Sequence, residues 1–202
     1  MKKNRTPIRR RHQNVSLGIF CLILSAKIFG VEVFFSPGSD CEKQIVDSIN
    51  GAQKEIVAVV YSLNNKNIVE SLKRAHQRKV AVRILTDRLQ ASNRASKTTE
   101  LWQAKLPIRV HSVHRIEHNK FGVFDEKKAI TGSFNWTNAA QKVNSENCVV
   151  LTEENAVQAF HNRFEHLWQV NAESQSTLFI KKLISKRAST KVRSTASDSA
   201  KE

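Results

Sequence analysis

A short segment near the middle of the chain combines side chains suited to phosphate chemistry. His118 and Lys120 stand two residues apart in a run that otherwise has the apolar character of a buried strand, and strand alternation predicts that both lie on one face. A buried imidazole and ammonium need partners, because unpaired polar groups are costly to bury. Downstream, Gly132 permits close backbone approach, while Ser133 and Asn135 add a hydroxyl and an amide. A nucleophile or base, a cation and neutral donors together suit cleavage of a phosphodiester.

The net charge of the whole chain suggests a polyanionic partner, but most of that charge lies near the two ends of the chain. There are 33 Lys and Arg against 18 Asp and Glu, a net charge of +15, which favours nucleic acid or an anionic membrane as a partner. Residues 1–30 hold seven basic and no acidic side chains, and residues 181–202 hold seven basic and two acidic ones. The intervening residues 31–180 hold 19 basic and 16 acidic side chains, so the globular part is only mildly basic.

The first 30 residues have the pattern of a targeting segment. A basic stretch precedes the apolar run 15–26 (VSLGIFCLILSA), which is too short for a comfortable membrane span and has the length of a signal-peptide core. We expect a cleaved signal peptide and a periplasmic or secreted protein. The alternative is a membrane anchor formed by residues 15–30, because no clean pair of small residues marks a cleavage site. Without that segment, Cys41 and Cys148 remain, either as one disulfide or as two buried thiols.

From residue 31 onward the chain alternates between strand and helix patterns. Apolar or alternating stretches predict strands at 31–35, 55–63, 80–87, 107–113, 120–125, 129–135 and 147–152. Apolar residues recur at helical spacing around Ile45, around Ile68 and from Glu153 onward. The alternation predicts an α/β domain, with a mixed, largely parallel sheet flanked by helices on both faces. We assign residues 31–172 to this domain and expect the basic, Ser/Thr-rich residues 173–202 to be a disordered tail.

The central segment resembles a known family. The HxKx4Dx6GS motif of the phospholipase D superfamily is matched at His118, Lys120, Asp125, Gly132 and Ser133. Asn135 fits the usual extension of that motif, and Glu146 resembles its downstream acidic position. Flanking sequence, including FFSPG, VVYS (59–62), VRILTDRLQASN and GSFNWTNAAQ, is similar to the small single-motif bacterial endonucleases of the superfamily. The resemblance covers roughly residues 31–170 and implies the α/β/α fold of that family.

The resemblance implies a role for each matched side chain. His118 would attack phosphorus and form a covalent phosphohistidine. Lys120 and Asn135 would hold the phosphate oxygens, with Ser133 beside them. Glu146 would accept a hydrogen bond from an imidazole and fix its tautomer.

Two motif residues are expected to be structural. Asp125 has the opposite strand parity to His118, so we predict that it holds the motif loop by hydrogen bonding, and Gly132 serves the backbone. The resemblance implies no metal and no cofactor, since basic side chains neutralise the phosphate. A cluster of His111, His114 and His118 does not argue for a metal, because His111 would face the other way and no Cys supports it.

A single copy of the motif supplies only one of the two histidines that the reaction of this family requires. The family chemistry uses two histidines, one as the nucleophile and one as the general acid. The segment 161–164 (HNRF) superficially echoes the motif, but Trp168 occupies the place of its Asp and no Gly-Ser pair follows. The second His118 is therefore expected from another subunit, which predicts a homodimer with a composite site.

Two features beyond the motif complete the expectations. Glu117 precedes the histidine where relatives usually carry an apolar residue, and we interpret it as a solvated strand-end residue. The resemblance favours a non-specific endonuclease acting on DNA, with RNA left open as a further substrate. The alternative is a phospholipase D-type hydrolase of membrane phospholipids, associated with the membrane through its N-terminal segment. A nucleic-acid-binding protein with an inactive site is disfavoured, because every catalytic position is filled.

Overall fold

The computed structural model describes residues 30–38 and 40–198. The segment expected to be a signal peptide or anchor, residues 1–30, lies outside this range except for its last residue. Within these residues, no helix has both the length and the apolar character to cross a bilayer. Seven strands of the described chain form one sheet: β1 (Val31–Ser36), β2 (Glu55–Val60), β3 (Ala81–Thr86), β4 (Ile108–Val110), β5 (Lys120–Phe124), β6 (Lys128–Gly132) and β7 (Glu146–Leu151).

Helices cover both faces of this sheet, as the sequence predicts. The helices of the described residues are α1 (Asp40–Gly51), α2 (Lys66–Gln77), α3 (Arg88–Ser92), α4 (Thr98–Gln103), α5 (Asn138–Lys142), α6 (Glu154–Val170) and α7 (Glu173–Asp198). On one face, Phe164 of α6 packs in a core cluster with Phe121 of β5. On the other face, Ile45 of α1 and Leu72 of α2 belong to the larger cluster. Burial of these apolar side chains is the main stabilising contribution to the fold.

The sheet is mixed, and its strand order is β1-β7-β6-β5-β2-β3-β4. Five strands run in one direction, while β5 and β7 run in the other. Only the β2–β3 and β3–β4 pairings are parallel, and the other four are antiparallel. The prediction of a mixed sheet between helices is confirmed, whereas "largely parallel" holds for strand direction and is wrong for the pairings. The physical reason is the tight β5–β6 turn, since so short a connection can only join antiparallel strands.

The strand that leads into the motif serine is shorter than the sequence predicts. It was expected to extend to residue 135, but β6 ends at Gly132, where φ is +148°. A Cβ built at Gly132 would lie 2.4 Å from the carbonyl oxygen of Asn147 and 2.8 Å from Cα of Cys148. Only glycine allows both this conformation and this approach. The chain therefore leaves the sheet at this point and carries Ser133 to the sheet edge.

The two cysteines left open by the sequence form a disulfide. Cys41 of α1 and Cys148 of β7 are bonded, with Cα atoms 5.8 Å apart and a sequence separation of 107 positions. Both are buried in the larger core cluster. The bond ties the first helix to the strand that carries Glu146. It restricts a long loop in the unfolded chain and so stabilises the fold.

The expected disordered tail is wrong for most of its length, because residues 173–198 form helix α7. Ile180 is fully buried, and Phe179 and Ile184 pack against the larger cluster. The hydroxyl of Ser176 accepts a hydrogen bond from the Val110 amide at 2.9 Å, which docks the helix on edge strand β4. Arg187 donates to the carbonyl of Asn93 at 2.6 Å. A few apolar residues at helical spacing are enough to fold this basic segment onto the domain.

Candidate active site

The residues predicted to carry the chemistry meet in one open pocket of about 470 Å³. It lies at the sheet edge where β2 ends and β5 begins. Its lining consists of polar side chains and one glycine: His118, Asn119, Lys120, Thr131, Gly132, Ser133, Asn135 and Glu146. Every predicted site residue except Asp125 is among them. Asn119 and Thr131 were not predicted from the sequence.

Lys120 is the first residue of β5 and is 8% exposed. Its Nζ donates a hydrogen bond to the carbonyl oxygen of His118 at 2.6 Å. Burial lowers the pKa of the Lys120 ammonium, while the carboxylates of Glu146 and Glu117 act in the opposite direction. A cation with little hydration of its own interacts more strongly with an incoming anion than a solvated one does.

His118 lies just before β5 and not inside it, so strand alternation does not fix its direction. Tyr61, which follows β2, fixes it instead. The rings of Tyr61 and His118 are in edge-to-face contact, with centroids 4.5 Å apart and planes at 66°. Nζ of Lys120 lies 5.1 Å from the centroid of the same tyrosine ring. His118 and Lys120 are thus held on one side of Tyr61, with the imidazole exposed to the pocket.

The hydroxyl of Tyr61 is itself positioned, because it accepts a hydrogen bond from Nε2 of Gln90 at 3.0 Å. Gln90 belongs to α3, whose N-cap is the buried Asp87. The sequence identified Tyr61 only as part of a matching flank. Its place at the end of a buried strand was the available signal.

On the opposite wall, Glu146 and Ser133 form a hydrogen-bonded pair. Oγ of Ser133 donates to the Glu146 carboxylate at 2.5 Å and accepts from the Asn147 amide at 3.0 Å. Nδ2 of Asn144 donates to the other carboxylate oxygen at 2.9 Å. Within the described residues, Glu146 therefore contacts a hydroxyl and an amide, and not the imidazole that the family resemblance implies. A carboxylate held in this way presents a fixed negative charge beside the pocket.

Asn135 is half-buried and lines the pocket floor. Among the residues that the structure describes, its Oδ1 has no hydrogen-bonding partner. Burying an unpaired amide oxygen is costly. The Nδ2 group of Asn135 carries the two N–H donors of the amide. A neutral donor of this kind is what a phosphate-binding wall requires.

Asp125 lies away from the pocket, after the far end of β5. Its carboxylate accepts hydrogen bonds from three consecutive backbone amides, at 2.9 Å from Gln53, 2.7 Å from Lys54 and 3.0 Å from Glu55. Burial acts to raise the pKa of Asp125, but the three amide donors outweigh it and hold the pKa below its usual value. The residue ties the α1–β2 connection to the end of β5.

The interpretation of Glu117 as solvated is wrong, since it is 2% exposed. Its carboxylate accepts hydrogen bonds from the backbone amide of Asn119 at 3.1 Å and from the Asn119 side chain at 2.6 Å. It also lies 3.7 Å from Nδ1 of the buried His111. Its own amide donates to the carboxylate of Asp87 at 3.0 Å. These contacts fix the backbone on both sides of His118.

Of the three histidines considered as a metal cluster, His111 and His114 lie together, with ring centroids 5.4 Å apart, and His118 lies in the pocket. His111 is 1% exposed, and its Nε2 accepts a hydrogen bond from the backbone amide of His114 at 2.9 Å. Burial lowers the pKa of His111, the nearby Glu117 carboxylate opposes this, and His114 adds to the lowering. His111 therefore supports the loop behind the pocket, whereas His118 lies in it.

Fold and site together define the class of the protein. Residues 45–168 match the family model described as cardiolipin synthase, PLD-like domain. The chain belongs to the phospholipase D superfamily. The solved structure of Nuc from Salmonella typhimurium, a phospholipase D family member, is 28% identical with a TM-score of 0.67. The match covers 71% of this chain and 97% of that one.

Curated relatives carry lipid-related names. Phospholipase D of Rickettsia typhi is 37% identical over 130 residues, which are 64% of this chain and 64% of that protein. Mitochondrial cardiolipin hydrolase of Xenopus laevis is 28% identical over 149 residues, covering 69% of this chain and 71% of that protein. The chain thus spans less than two thirds of the length of the rickettsial relative. The family predicted from the motif is confirmed.

Proposed function

We propose that the chain is a phosphodiesterase, and that it acts as a metal-independent endonuclease that hydrolyses DNA through a covalent phosphohistidine. The observation that carries the proposal is the pocket lining, in which every residue is polar or glycine. An enzyme that withdraws a diacyl phospholipid from the bilayer would need an apolar wall beside the scissile phosphate, because the acyl chains would otherwise be exposed to water. A nucleic-acid backbone needs only polar contacts at the phosphate.

In the proposed reaction, a ring nitrogen of His118 attacks phosphorus and the bond to the leaving oxygen breaks. Lys120 and Asn135 bind the non-bridging oxygens, where charge develops in the transition state. A general acid protonates the leaving oxygen. Water then attacks phosphorus and gives a proton to the deprotonated general acid, the phosphorus–nitrogen bond breaks, and both His118 and the acid are regenerated. Lys120 supplies the positive charge at the phosphate, so the scheme needs no metal ion.

The general acid is proposed to be His118 of a second chain. Of the histidines that the structure describes, only His118 lines the pocket, and its exposed ring leaves room for another imidazole across the phosphate. A two-fold axis through the site would supply one. The test mixes wild-type chains with an excess of His118→Ala chains. Because each composite site requires both histidines, heterodimers must be inactive and the variant must inhibit the wild-type protein, while solution mass must show two chains. An active monomer would contradict the composite site.

A second candidate is a phospholipase D acting on membrane lipids. The observation in its favour is the set of rickettsial relatives named phospholipase D, one of them 41% identical over 123 residues. The catalytic residues would be the same, and only the leaving group would differ. The N-terminal segment and the basic C-terminal end would then favour a location at an anionic membrane.

One experiment separates the two candidates. Wild-type protein and His118→Ala are incubated in EDTA with plasmid DNA, with RNA, and with vesicles of phosphatidylcholine and cardiolipin. The proposal expects wild-type protein to nick plasmid DNA and the variant to be at least 10³-fold slower, which is about 4 kcal/mol of lost transition-state stabilisation. Lipid hydrolysis with intact DNA would select the second candidate.

The proposal includes an exported, periplasmic or secreted protein. The disulfide between Cys41 and Cys148 supports it, since such bonds persist in oxidising compartments. Fractionation with thiol labelling tests it: the two cysteines should resist labelling in protein recovered outside the cytoplasm. Recovery with the membrane would favour an uncleaved anchor instead. Recovery of reduced protein from the cytoplasm would contradict export.

A further inference from the structure

Helix α7 adds a feature that lies outside the region matching the family, which ends at residue 168. Its first half packs on edge strand β4 through Ser176 and Ile180. Further along, the Arg187 side chain donates to the backbone of Asn93 and to the hydroxyl of Thr99 at 2.7 Å. The helix is therefore fixed against both β4 and the α3–α4 connection. This docking creates a surface that the α/β domain alone does not have.

Between α3, the end of β4 and α7 lies a cavity of about 500 Å³. Its lining combines two cations, neutral polar groups and an apolar floor: Arg88, Val110, Ser112, Gln175, Ser176, Leu178, Phe179 and Lys182. The guanidinium of Arg88 lies over the ring of Phe179 at 4.9 Å. Leu178 is 70% exposed although it is apolar. No acidic side chain is among these lining residues.

This composition matches one unit of a nucleic-acid strand. Arg88 and Lys182 are exposed cations that can contact a phosphate, and contacts of this kind provide most of the affinity for a polyanion. Because the Arg88 guanidinium covers the Phe179 ring, a base would lie against the guanidinium plane and the exposed Leu178 side chain. Contacts of this kind tolerate any base, as a nuclease without sequence preference requires.

The cavity and the catalytic pocket lie at the same edge of the sheet. Arg88 follows β3 and Ser112 follows β4, and these strands run parallel to β2, whose end adjoins the catalytic pocket. From β5 through β2 and β3 to β4 there are three strand spacings, or about 14 Å. Successive phosphates of a B-form strand rise about 3.4 Å along the helix axis, and they lie farther apart than this along the strand itself. The two sites are therefore at most about four nucleotides apart.

We propose that the cavity between α3 and α7 is a second nucleic-acid subsite. It takes a phosphate and its base at most about four nucleotides from the bond cleaved at His118. The inference rests on the proposed endonuclease function, because it assigns a further contact to the same substrate. It gives the basic C-terminal helix a defined role in holding the strand, and it makes activity depend on substrate length.

The test replaces both cations, as Arg88→Gln with Lys182→Gln. The matched control is Arg94→Gln with Lys181→Gln, which removes two exposed cations of the same types that do not line the cavity. Each double variant is assayed on a 20-base-pair DNA duplex, on a dinucleotide and on bis(p-nitrophenyl) phosphate. The last two substrates are too short to reach the cavity.

For the cavity variant, KM for the duplex should rise on the order of tenfold at 0.1 M salt. The slope of log KM against log salt should fall by about 1.8, as expected for two lost phosphate contacts. Turnover of the dinucleotide and of bis(p-nitrophenyl) phosphate should stay within twofold of wild type, and the control should match wild type on all three substrates. Equal KM values for the duplex in both double variants would overturn the subsite.

Failure of the proposed function has a different outcome, in which wild-type protein hydrolyses bis(p-nitrophenyl) phosphate but leaves every DNA substrate intact. A lipid-binding role for the cavity is tested by sedimentation with phosphatidylglycerol vesicles. If the cavity substitutions release the protein from vesicles and leave KM for the duplex unchanged, the cavity is a lipid site and the inference is wrong.

Discussion

Tyr61 and His118 lie ring against ring, with centroids 4.5 Å apart. Nζ of Lys120 lies 5.1 Å from the same tyrosine ring, and Gln90 holds the tyrosine hydroxyl. One aromatic side chain therefore sets the position of both reactive groups relative to each other. Catalysis by a positioned nucleophile depends steeply on such placement, and a shift of 1 Å can cost about 10²-fold in rate.

Two substitutions at Tyr61 should therefore distinguish the contribution of the aromatic ring to kcat from that of the hydroxyl. Tyr61→Phe keeps the contact with His118 and loses the bond from Gln90, so kcat on bis(p-nitrophenyl) phosphate should fall less than about threefold. Tyr61→Leu removes the ring, and kcat should fall on the order of 10- to 100-fold. Steady-state kinetics measure both effects, with thermal melting as a check on folding. If both variants lose activity equally, the hydroxyl and not the ring is the important group.

Glu117 should influence the pH dependence of the reaction through Lys120. The pKa of Lys120 is lowered by burial and partly restored by Glu146 and Glu117. Glu117→Gln removes one of the restoring charges but keeps an oxygen that can accept from Asn119. The pKa of Lys120 should therefore fall further, and the alkaline limb of the rate profile should move to lower pH.

A purely structural role for Glu117 predicts a different pattern. Glu117→Leu removes the acceptor as well as the charge, and it should cost on the order of 2 kcal/mol in the free energy of unfolding. Urea unfolding of both variants, beside their pH–rate profiles, separates the two effects. An unshifted alkaline limb in Glu117→Gln would show that its charge does not act on Lys120.

Gly132→Ala should destabilise the fold strongly. The added Cβ would lie 2.4 Å from a backbone oxygen, at a φ of +148° that L-residues rarely adopt. We expect a loss on the order of 3 kcal/mol in the free energy of unfolding. Gly51→Ala is the matched control, because a Cβ at that position would have no other atom within 4 Å. Equal stability of the two variants in urea would contradict the close approach of β6 to β7.

The Asp125 carboxylate should stabilise the fold in a pH-dependent way. Its pKa in the folded chain is held below the ordinary 3.8, so its stabilising effect is complete above that value and is lost as the pH falls through the folded pKa. Asp125→Asn, which tolerates the local φ of +53°, should cost on the order of 2 kcal/mol at pH 7.

That difference between wild type and Asp125→Asn should shrink as the pH falls below 3.8. Urea unfolding at pH 7 and at pH 3 measures it. Activity per folded molecule at pH 7 should be unchanged, since the carboxylate contacts the α1–β2 connection and not the pocket. A difference that persists undiminished at low pH would show that the charge of Asp125 is not what stabilises the connection.

The motif made much of the site predictable, because fixed residue types at fixed spacing constrain both fold and geometry. Asp125 lies away from the phosphate, as predicted, but strand parity is not the reason, because neither His118 nor Asp125 lies within β5. Glu117 did not follow, because its burial depends on Asp87 and His111, which approach only in the folded chain. The residues next to Glu117 in the sequence do not indicate these distant partners, so its burial could not be predicted.

Helix α7 and the sheet pairing show the same limit. Ser176 and Ile180 are single buried residues in a segment of mostly polar composition, so the segment has too little apolar periodicity to indicate a docked helix. After β4 at the edge of the sheet, the chain crosses back to place β5 beside β2 in the antiparallel direction. The alternation of strand and helix patterns does not predict the position or the direction of β5.

The most direct test of the central claim is to trap the covalent intermediate. Wild-type protein is mixed with a labelled DNA oligonucleotide in EDTA, quenched at alkaline pH and digested, and the peptide containing His118 is analysed by mass spectrometry. The account predicts a phosphoramidate adduct on His118 that forms and decays at the rate of turnover and is absent in His118→Ala. DNA cleavage at full rate with no label on His118, or with label on another residue, would contradict it.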